Sequence, residues 1–173
     1  MNSRELAVAA VFVSLSVSLR IVKNALTSIQ FLNIPLLFAL VASAIYGSKI
    51  GFLVGFFSYF LSDLMIFPGI WTLVNSTCAG LTAFFYHFVA KSSEGKTVHF
   101  VVTFLFLLAF DVITSTLLYI AFGLEFLKAV IFSFVGLFLP VMGGYLIGVG
   151  PLTEALTSLL VVLLIEEIIK RKI

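Results

Sequence analysis

The sequence predicts an all-α integral membrane protein, a bundle of six transmembrane helices with a Gly/Pro-broken apolar segment at residues 126–150 before the last helix. Three observations support this fold class. Hydrophobic residues make up 62% of the 173 residues and charged residues only 10%, which is more apolar surface than a water-soluble domain of this size can hide. The apolar residues form long runs, and a bilayer crossing takes about 20 helical residues. Lys and Arg lie between those runs, where they orient membrane spans.

The six predicted spans cover residues 5–22, 33–46, 50–67, 71–90, 97–122 and 152–169. The first ends near Arg20, and the second begins near Pro35, which the first turn of a helix tolerates because its missing N–H would be unpaired there. A tight turn at Gly47 returns the chain into the third span. The hydrophilic stretch 91–96 separates the fourth span from the fifth. Because the spans use nearly the whole chain, we expect residues 1–173 to form a single transmembrane domain.

Residues 126–150 are apolar enough for a seventh crossing, but they contain Pro140 and five glycines, which weaken a helix. With six crossings and a cytoplasmic N-terminus, seven of the ten Lys and Arg residues are cytoplasmic: Arg4, Lys49, Lys91, Lys96, Lys170, Arg171 and Lys172. With seven crossings the last three move outside and the split becomes four against six. The positive-inside rule therefore favours six crossings with both termini in the cytoplasm. We expect 126–150 to be broken backbone, a helix end plus a re-entrant segment buried against other helices.

Two carboxylates, Asp63 and Asp111, fall inside the predicted spans. A charged side chain at the centre of a bilayer costs about 2.5–3.5 kcal/mol on insertion scales, so intramembrane acids mark candidate functional sites. In the six-span topology Asp63 lies about one turn from the outer end of the third span. Asp111 lies deeper, in the outer half of the fifth span. The inner halves of the spans are almost purely Leu, Val, Phe and Ile, apart from His87.

Uncharged polar residues share this bias toward the outer half. Trp71 and Asn75 are four residues apart, as are Asp111, Ser115 and Tyr119, so each set shares one helical face. The candidate substrate-binding residues are Asn33, Asp63, Trp71, Asn75, Asp111, Ser115 and Tyr119. Their placement predicts a pocket that opens outward and is closed below, because a continuous pore would need polar lining throughout.

Each of these residues also has a structural interpretation. Asp63 could cap a helix or pair with Arg20 or Lys128, and Asp111 could be structural. Trp71 and Tyr119 have the character of interfacial aromatic anchors. Asn75 and the Ser and Thr residues could join neighbouring helices by hydrogen bonds.

The signatures of enzymes are missing from the sequence. It contains neither a Gly-x-Ser-x-Gly element nor a phosphate-binding Gly-x-x-x-x-Gly-Lys loop. It offers no gathering of His, Cys and carboxylate ligands for a metal. We therefore expect no enzymatic activity, no cofactor and no metal site, and any active transport must draw energy from a partner.

Small residues line one face of the first predicted span, at three- and four-residue spacing: Ala7, Ala10, Ser14 and Ser18. Such a row lets another helix approach closely, which is the main packing device in lipid. The face could meet this protein's own helices or a partner subunit.

With these features the chain resembles the S component of energy-coupling-factor (ECF) transporters. The matching pieces are Ala10-x-x-x-Ser14, the run Phe31-Leu32-Asn33-Ile34-Pro35, residues 46–55 and Ser62-Asp63. The usual first-helix pattern in that family is Ala-x-x-x-Ala, and Ser14 takes the second position here. The block 62–72 looks more like members that take cobalamin or its precursors, and the Lys-Asp-Phe-Ser-Asp-like run of riboflavin members is absent before Pro35.

The resemblance implies a substrate-capture subunit in the cell membrane that binds a scarce vitamin from outside. The substrate options are cobalamin or a precursor, riboflavin or another B vitamin. The implied partners are a transmembrane scaffold subunit and two cytosolic ATPases, with Ala7, Ala10, Ser14 and Ser18 as the docking face. The alternative interpretation is a membrane scaffold or assembly protein that transports nothing and whose buried acids are structural.

Overall fold

The computed structural model describes residues 2–27, 29–93, 95–138, 141–143, 146–148 and 150–170. These residues form seven helices and one short hairpin. The helices are α1 (Ser3–Leu26), α2 (Ile34–Tyr46), α3 (Ser48–Ile66), α4 (Ile70–Ala90), α5 (Lys96–Ala121), α6 (Phe126–Phe138) and α7 (Gly150–Lys170). The hairpin strands are β1 (Val141–Gly143) and β2 (Leu146–Gly148).

Four of the described helices, α1, α3, α4 and α5, are long and apolar enough to cross a membrane. The chain is thus a helical protein with several membrane-spanning helices, as the composition predicts. The second predicted span forms α2, which has only 13 residues and is shorter than a full crossing. The last predicted span forms α7, which has 21 residues but carries four charged groups, at positions 154, 166, 167 and 170. The number of six crossings stays a prediction.

The segment 126–150 begins as a regular helix, α6, and continues into the antiparallel hairpin. Met142 pairs with Ile147 at the centre of the hairpin. The strands β1 and β2, among the described residues after α6, are β-paired, which the all-α prediction did not include. Pro140 and Gly144, two of the residues on which that prediction rested, lie outside the described residues.

Local sequence explains where the first helices begin and turn. Asn2 and Glu5 form a capping box at the start of α1, in which each side chain accepts from the other residue's backbone N–H. The Asn33 side chain accepts from the Leu36 N–H at 3.2 Å and caps α2. Gly47, with φ of +106°, makes the sharp turn from α2 into α3, a conformation that favours glycine.

The core is built around α2, whose Leu36, Ala39 and Leu40 are fully buried. The helix lies against α1, α3, α4 and α7. The backbones of α3 and α4 approach closely at Gly55, where a Cβ atom would lie 2.6 Å from the Ala79 carbonyl oxygen. Glycine is therefore required at this helix contact, because any side chain would push the two helices apart.

Buried hydrogen bonds gather at both ends of the bundle. At the end that carries the N-terminus, the Tyr86 hydroxyl lies 2.8 Å from both His99 Nε2 and Thr103 Oγ1. Lys96 Nζ and Glu166 Oε2 are 2.7 Å apart at the same end. The expectation that this half is almost purely apolar is wrong in this respect. Its polar groups bond to one another.

Candidate functional site

A cavity of about 340 Å³ lies at the end of the bundle opposite the N-terminus. We call this end the cavity end. Residues of α1 and of α3 through α7, together with the connector before α2, form its wall. The lining residues are Arg20, Gln30, Asn33, Tyr59, Asn75, Phe110, Asp111, Thr114, Ser115, Leu118, Tyr119, Ser133, Gly136, Leu137, Gly150 and Thr153.

Helix α5 supplies the largest share of the wall. Asp111, Ser115 and Tyr119 repeat every four residues and all line the cavity, as their common helical face predicts. Phe110 and Thr114 belong to the same wall. The sequence places these residues on one face, and the packing of α5 against α6 and α7 turns that face inward.

Asn33 connects three elements at the cavity wall. Its side-chain oxygen caps α2 and also accepts a hydrogen bond of 2.8 Å from the Tyr59 hydroxyl on α3. Its backbone N–H donates to Thr157 Oγ1 on α7 at 3.0 Å. Asn33 is thus oriented by its neighbours, which is how a binding residue is held in a fixed geometry.

Asp63 does not line the cavity but holds a residue that does. The Arg20 guanidinium lies 2.6 Å from Asp63 Oδ1 and also donates to the Ser62 hydroxyl. The guanidinium carbon lies 4.8 Å from the centre of the Tyr59 ring, in cation–π range. The pairing of Asp63 with Arg20, one of the structural alternatives for this acid, is therefore the one observed, and it neutralises the cation in the cavity wall.

Of Trp71 and Asn75, which lie one turn apart on α4, only Asn75 faces the cavity. Trp71 stacks on Phe67 with ring centroids 5.2 Å apart, and its indole N–H donates to the Phe67 carbonyl at 2.9 Å. Its ring covers Gly69, where a Cβ atom would collide with it. Trp71 thus closes the loop between α3 and α4 outside the cavity.

Sequence reasoning missed one acid, Glu154, which lies two residues inside the last predicted span. Glu154 is 2% exposed, and neither of its carboxyl oxygens meets a hydrogen-bond donor among the described residues. Its carboxyl group faces that of Asp111 within hydrogen-bonding range. The sequence contained a signal for it, because an acid inside an apolar span marks a candidate functional residue, as it did for Asp63 and Asp111.

Other lining residues were missed because they become neighbours only in the folded chain. Thr153 Oγ1 donates to the Gln30 carbonyl at 2.7 Å and ties the start of α7 to the connector before α2. Thr116 Oγ1 donates to Ser133 Oγ at 2.9 Å and ties α5 to α6. These bonds fix the positions of the elements that enclose the cavity.

Apolar side chains close the cavity toward the other end of the bundle. Leu107, one helical turn from Asp111, is 1% exposed, and Val161 and Leu40 are fully buried. All three belong to the apolar core, and Leu107 lies between Asp111 and Thr103 along α5. We call these three side chains the floor of the cavity.

The chemistry of the cavity is that of binding. It combines aromatic and aliphatic surface with hydroxyl, amide and carboxyl groups, which suits a small organic molecule. The described residues contain no group of three or more His, Cys, Asp or Glu side chains that could hold a metal ion.

The small residues of α1 lie away from the cavity. Ala7, Ala10, Ser14 and Ser18 are exposed along one face of the helix. The opposite face carries Ala9, Ser16 and Lys23, which are buried against the bundle. Helix α1 therefore does not use the small-residue face for the packing of this chain on itself.

A family model described as "ECF-type riboflavin transporter, S component" matches residues 4–158 of this chain. The match covers most of the sequence, from the first turn of α1 into α7. No curated protein and no solved structure is a match for this chain.

Proposed function

The chain belongs to the family of ECF-type riboflavin transporter S components, and on this basis we propose that it captures riboflavin in the cavity described above. Members of this family are the substrate-binding components of transporters in the cell membrane and are not enzymes. Riboflavin is one of the substrate options that the sequence left open. The family match favours it over cobalamin, toward which residues 62–72 pointed.

The observation that carries the proposal is the chemical mixture in a cavity of about 340 Å³. This volume falls in the usual range of small-molecule sites, roughly 300–1,000 Å³. Riboflavin combines a flat aromatic heterocycle with a polyol chain. Tyr59, Phe110 and Tyr119 offer ring surface, and hydroxyl and amide groups such as Asn75 and Ser115 offer hydrogen bonds to the polyol.

We further propose that the cavity end faces the outside of the cell. The opposite end carries the N-terminus, Lys49, Lys91 and Lys96, and positive residues concentrate on the cytoplasmic side of membrane proteins. Lys170 lies at the same end, whereas Arg171 and Lys172, which the topology argument also used, lie outside the described residues. This orientation exposes the cavity to extracellular vitamin and places both termini in the cytoplasm.

Delivery of the bound vitamin requires partners. The sequence contains no phosphate-binding loop, so the energy must come from the ATPase subunits of an energy-coupling module. We propose that the exposed row Ala7, Ala10, Ser14 and Ser18 docks on the transmembrane scaffold subunit of that module. A helix with small exposed residues lets another helix approach closely within lipid.

Flavin binding to the purified chain tests the capture proposal. We expect protein extracted in mild detergent to carry a flavin, identified by its absorbance and mass. After its removal, added riboflavin should bind with quenching of flavin fluorescence. Asn75→Ala removes a lining amide and should weaken binding about tenfold, the worth of one or two hydrogen bonds. Asn24→Ala, which changes an amide that does not line the cavity, is the matched control. A wild-type protein that binds no riboflavin at micromolar concentration would refute the proposal.

A further inference from the structure

The acid pair Asp111–Glu154 has unusual surroundings. Glu154 is 2% exposed, yet both of its oxygens lack a donor among the described residues. The group that faces it is the Asp111 carboxyl, at hydrogen-bonding range. A buried polar group without a partner is costly, so its presence here calls for a reason.

The basic side chains near the cavity are engaged elsewhere. Arg20 pairs with Asp63 at 2.6 Å, and Lys128 pairs with Glu125 on the surface at 2.9 Å. Lys23 donates to the Gln30 side chain at 2.6 Å. Within the described ranges, the acid pair therefore has no ion-pair partner, and no Lys or Arg neutralises it.

Hydrogen-bond chemistry fixes how two such groups coexist. Two carboxylates carry only acceptors, so a hydrogen bond between them requires one proton. The charge is better placed on Asp111, which lines the cavity, than on Glu154, which is enclosed. Glu154 then donates its O–H to Asp111, and the second oxygen of the Asp111 carboxylate remains free to accept from a ligand.

The neighbours of Asp111 indicate which part of a ligand it meets. Phe110 and Tyr59 line the cavity beside it, with ring centroids 5.5 Å apart. A planar heterocycle that lies against these rings would bring its hydrogen-bonding edge to the carboxylate. The edge of riboflavin that can donate is the imide N–H of its pyrimidine ring, and N–H bonds to a carboxylate are roughly twice as strong as those between neutral groups.

We propose that Asp111 accepts a hydrogen bond from the imide N–H of the bound flavin, and that Glu154 is a positioning residue which holds the Asp111 carboxylate by donating its proton. The proposal rests on riboflavin as the substrate and adds the contact that recognises its heterocycle. In this proposal Glu154 acts through the hydrogen bond that its carboxyl O–H donates, and not through a negative charge.

The test compares riboflavin with 3-methylriboflavin, in which a methyl group replaces the imide hydrogen. Wild-type protein should bind riboflavin at least about tenfold more tightly, the worth of one charge-assisted bond. In Asp111→Asn this preference should fall below about threefold, because the charge is lost. Glu154→Gln should keep the preference, since its amide N–H still donates to Asp111, whereas Glu154→Met should lose it. Glu125→Gln is the surface control.

The outcomes separate this inference from the proposed function. Equal wild-type affinity for the two flavins, or an unchanged preference in Asp111→Asn, overturns the imide contact while riboflavin capture stands. Loss of the preference in Glu154→Gln overturns the donor role of Glu154. If Asp111→Asn weakens riboflavin but not lumiflavin, which lacks the polyol, the carboxylate meets the polyol and the assignment is wrong. No binding of either flavin overturns the proposed function itself.

Discussion

At the scale of single residues, Asp63 and Arg20 illustrate how an intramembrane acid can serve a site without touching it. Asp63 is 4% exposed and lies behind the cavity wall. Arg20 lines the cavity and stands over the Tyr59 ring. The acid therefore fixes the position of a cation that would otherwise be mobile and costly to bury.

Asp63→Asn should destabilise the protein, because it leaves the Arg20 charge half-buried and unpaired. Removing one partner of a buried ion pair costs about 3–5 kcal/mol in measured cases, and the thermal unfolding midpoint in detergent measures the effect. Glu125→Gln is the matched control, since it breaks the exposed Lys128–Glu125 pair; exposed pairs contribute about 1 kcal/mol or less. Equal midpoints for Asp63→Asn and wild type would contradict a structural role for the pair.

Spacing along one helix was the part of the site that the sequence could predict. Asp111, Ser115 and Tyr119 line the cavity because a helix places every fourth residue on one face. The same rule paired Trp71 with Asn75, but Trp71 stands at the start of α4, where its ring folds back over the loop. Glu154 was not predicted, because it lies near the start of an otherwise apolar span and meets its neighbour Asp111 only in the folded chain.

At the scale of elements, α1 has one face that packs into the bundle and another that stays exposed. Its buried face carries Ser16 and Lys23 into the bundle, and Arg20 reaches the cavity wall. Its small residues remain exposed on the other side. A change on the exposed face should therefore leave the cavity intact, which makes the docking proposal separable from ligand binding.

Ala10→Trp should abolish uptake of riboflavin into cells while the purified protein binds riboflavin with wild-type affinity. The bulky ring prevents close approach of a partner helix to α1. Leu19→Trp is the control, because Leu19 is also exposed, at 47%, but on another flank of the helix. Normal uptake by Ala10→Trp would remove the small-residue row from the docking surface, and lost binding would show that it supports the fold.

Helix boundaries followed from local chemistry, whereas the segment before α7 did not. Pro35 and Gly47 bound α2 as their conformational preferences predict. For 126–150 the hydropathy pattern could not distinguish a helix from strands, since short apolar runs suit both. The pairing of β1 with β2 joins residues that become neighbours only in the folded chain.

At the scale of the whole molecule, the arrangement follows from the distribution of polar groups along the bundle. Members of α1, α2, α3, α4, α5 and α7 share one apolar core cluster. This common core supports the prediction that residues 1–173 form a single transmembrane domain. The two ends differ, because one encloses a cavity and the other satisfies its polar groups internally.

Thiol labelling of intact cells tests the proposed orientation. Cys78, the one cysteine of the chain, is buried, so Cys78→Ser gives an unreactive background. In it, Ile29→Cys before α2 should react with a membrane-impermeant maleimide. Ser92→Cys, between α4 and α5, should react only after the cells are permeabilised, because the positive-inside rule places that loop in the cytoplasm. The reverse pattern would invert the proposed topology.

The floor formed by Leu40, Leu107 and Val161 also sets a condition on how cargo travels. A cavity with one mouth and a closed floor has no direct route to the opposite end of the bundle. Release of bound cargo into the cytoplasm therefore requires either a conformational change that opens this floor or a rotation of the bundle that turns the cavity mouth inward. A partner bound along the exposed face of α1 would be in position to drive such a change.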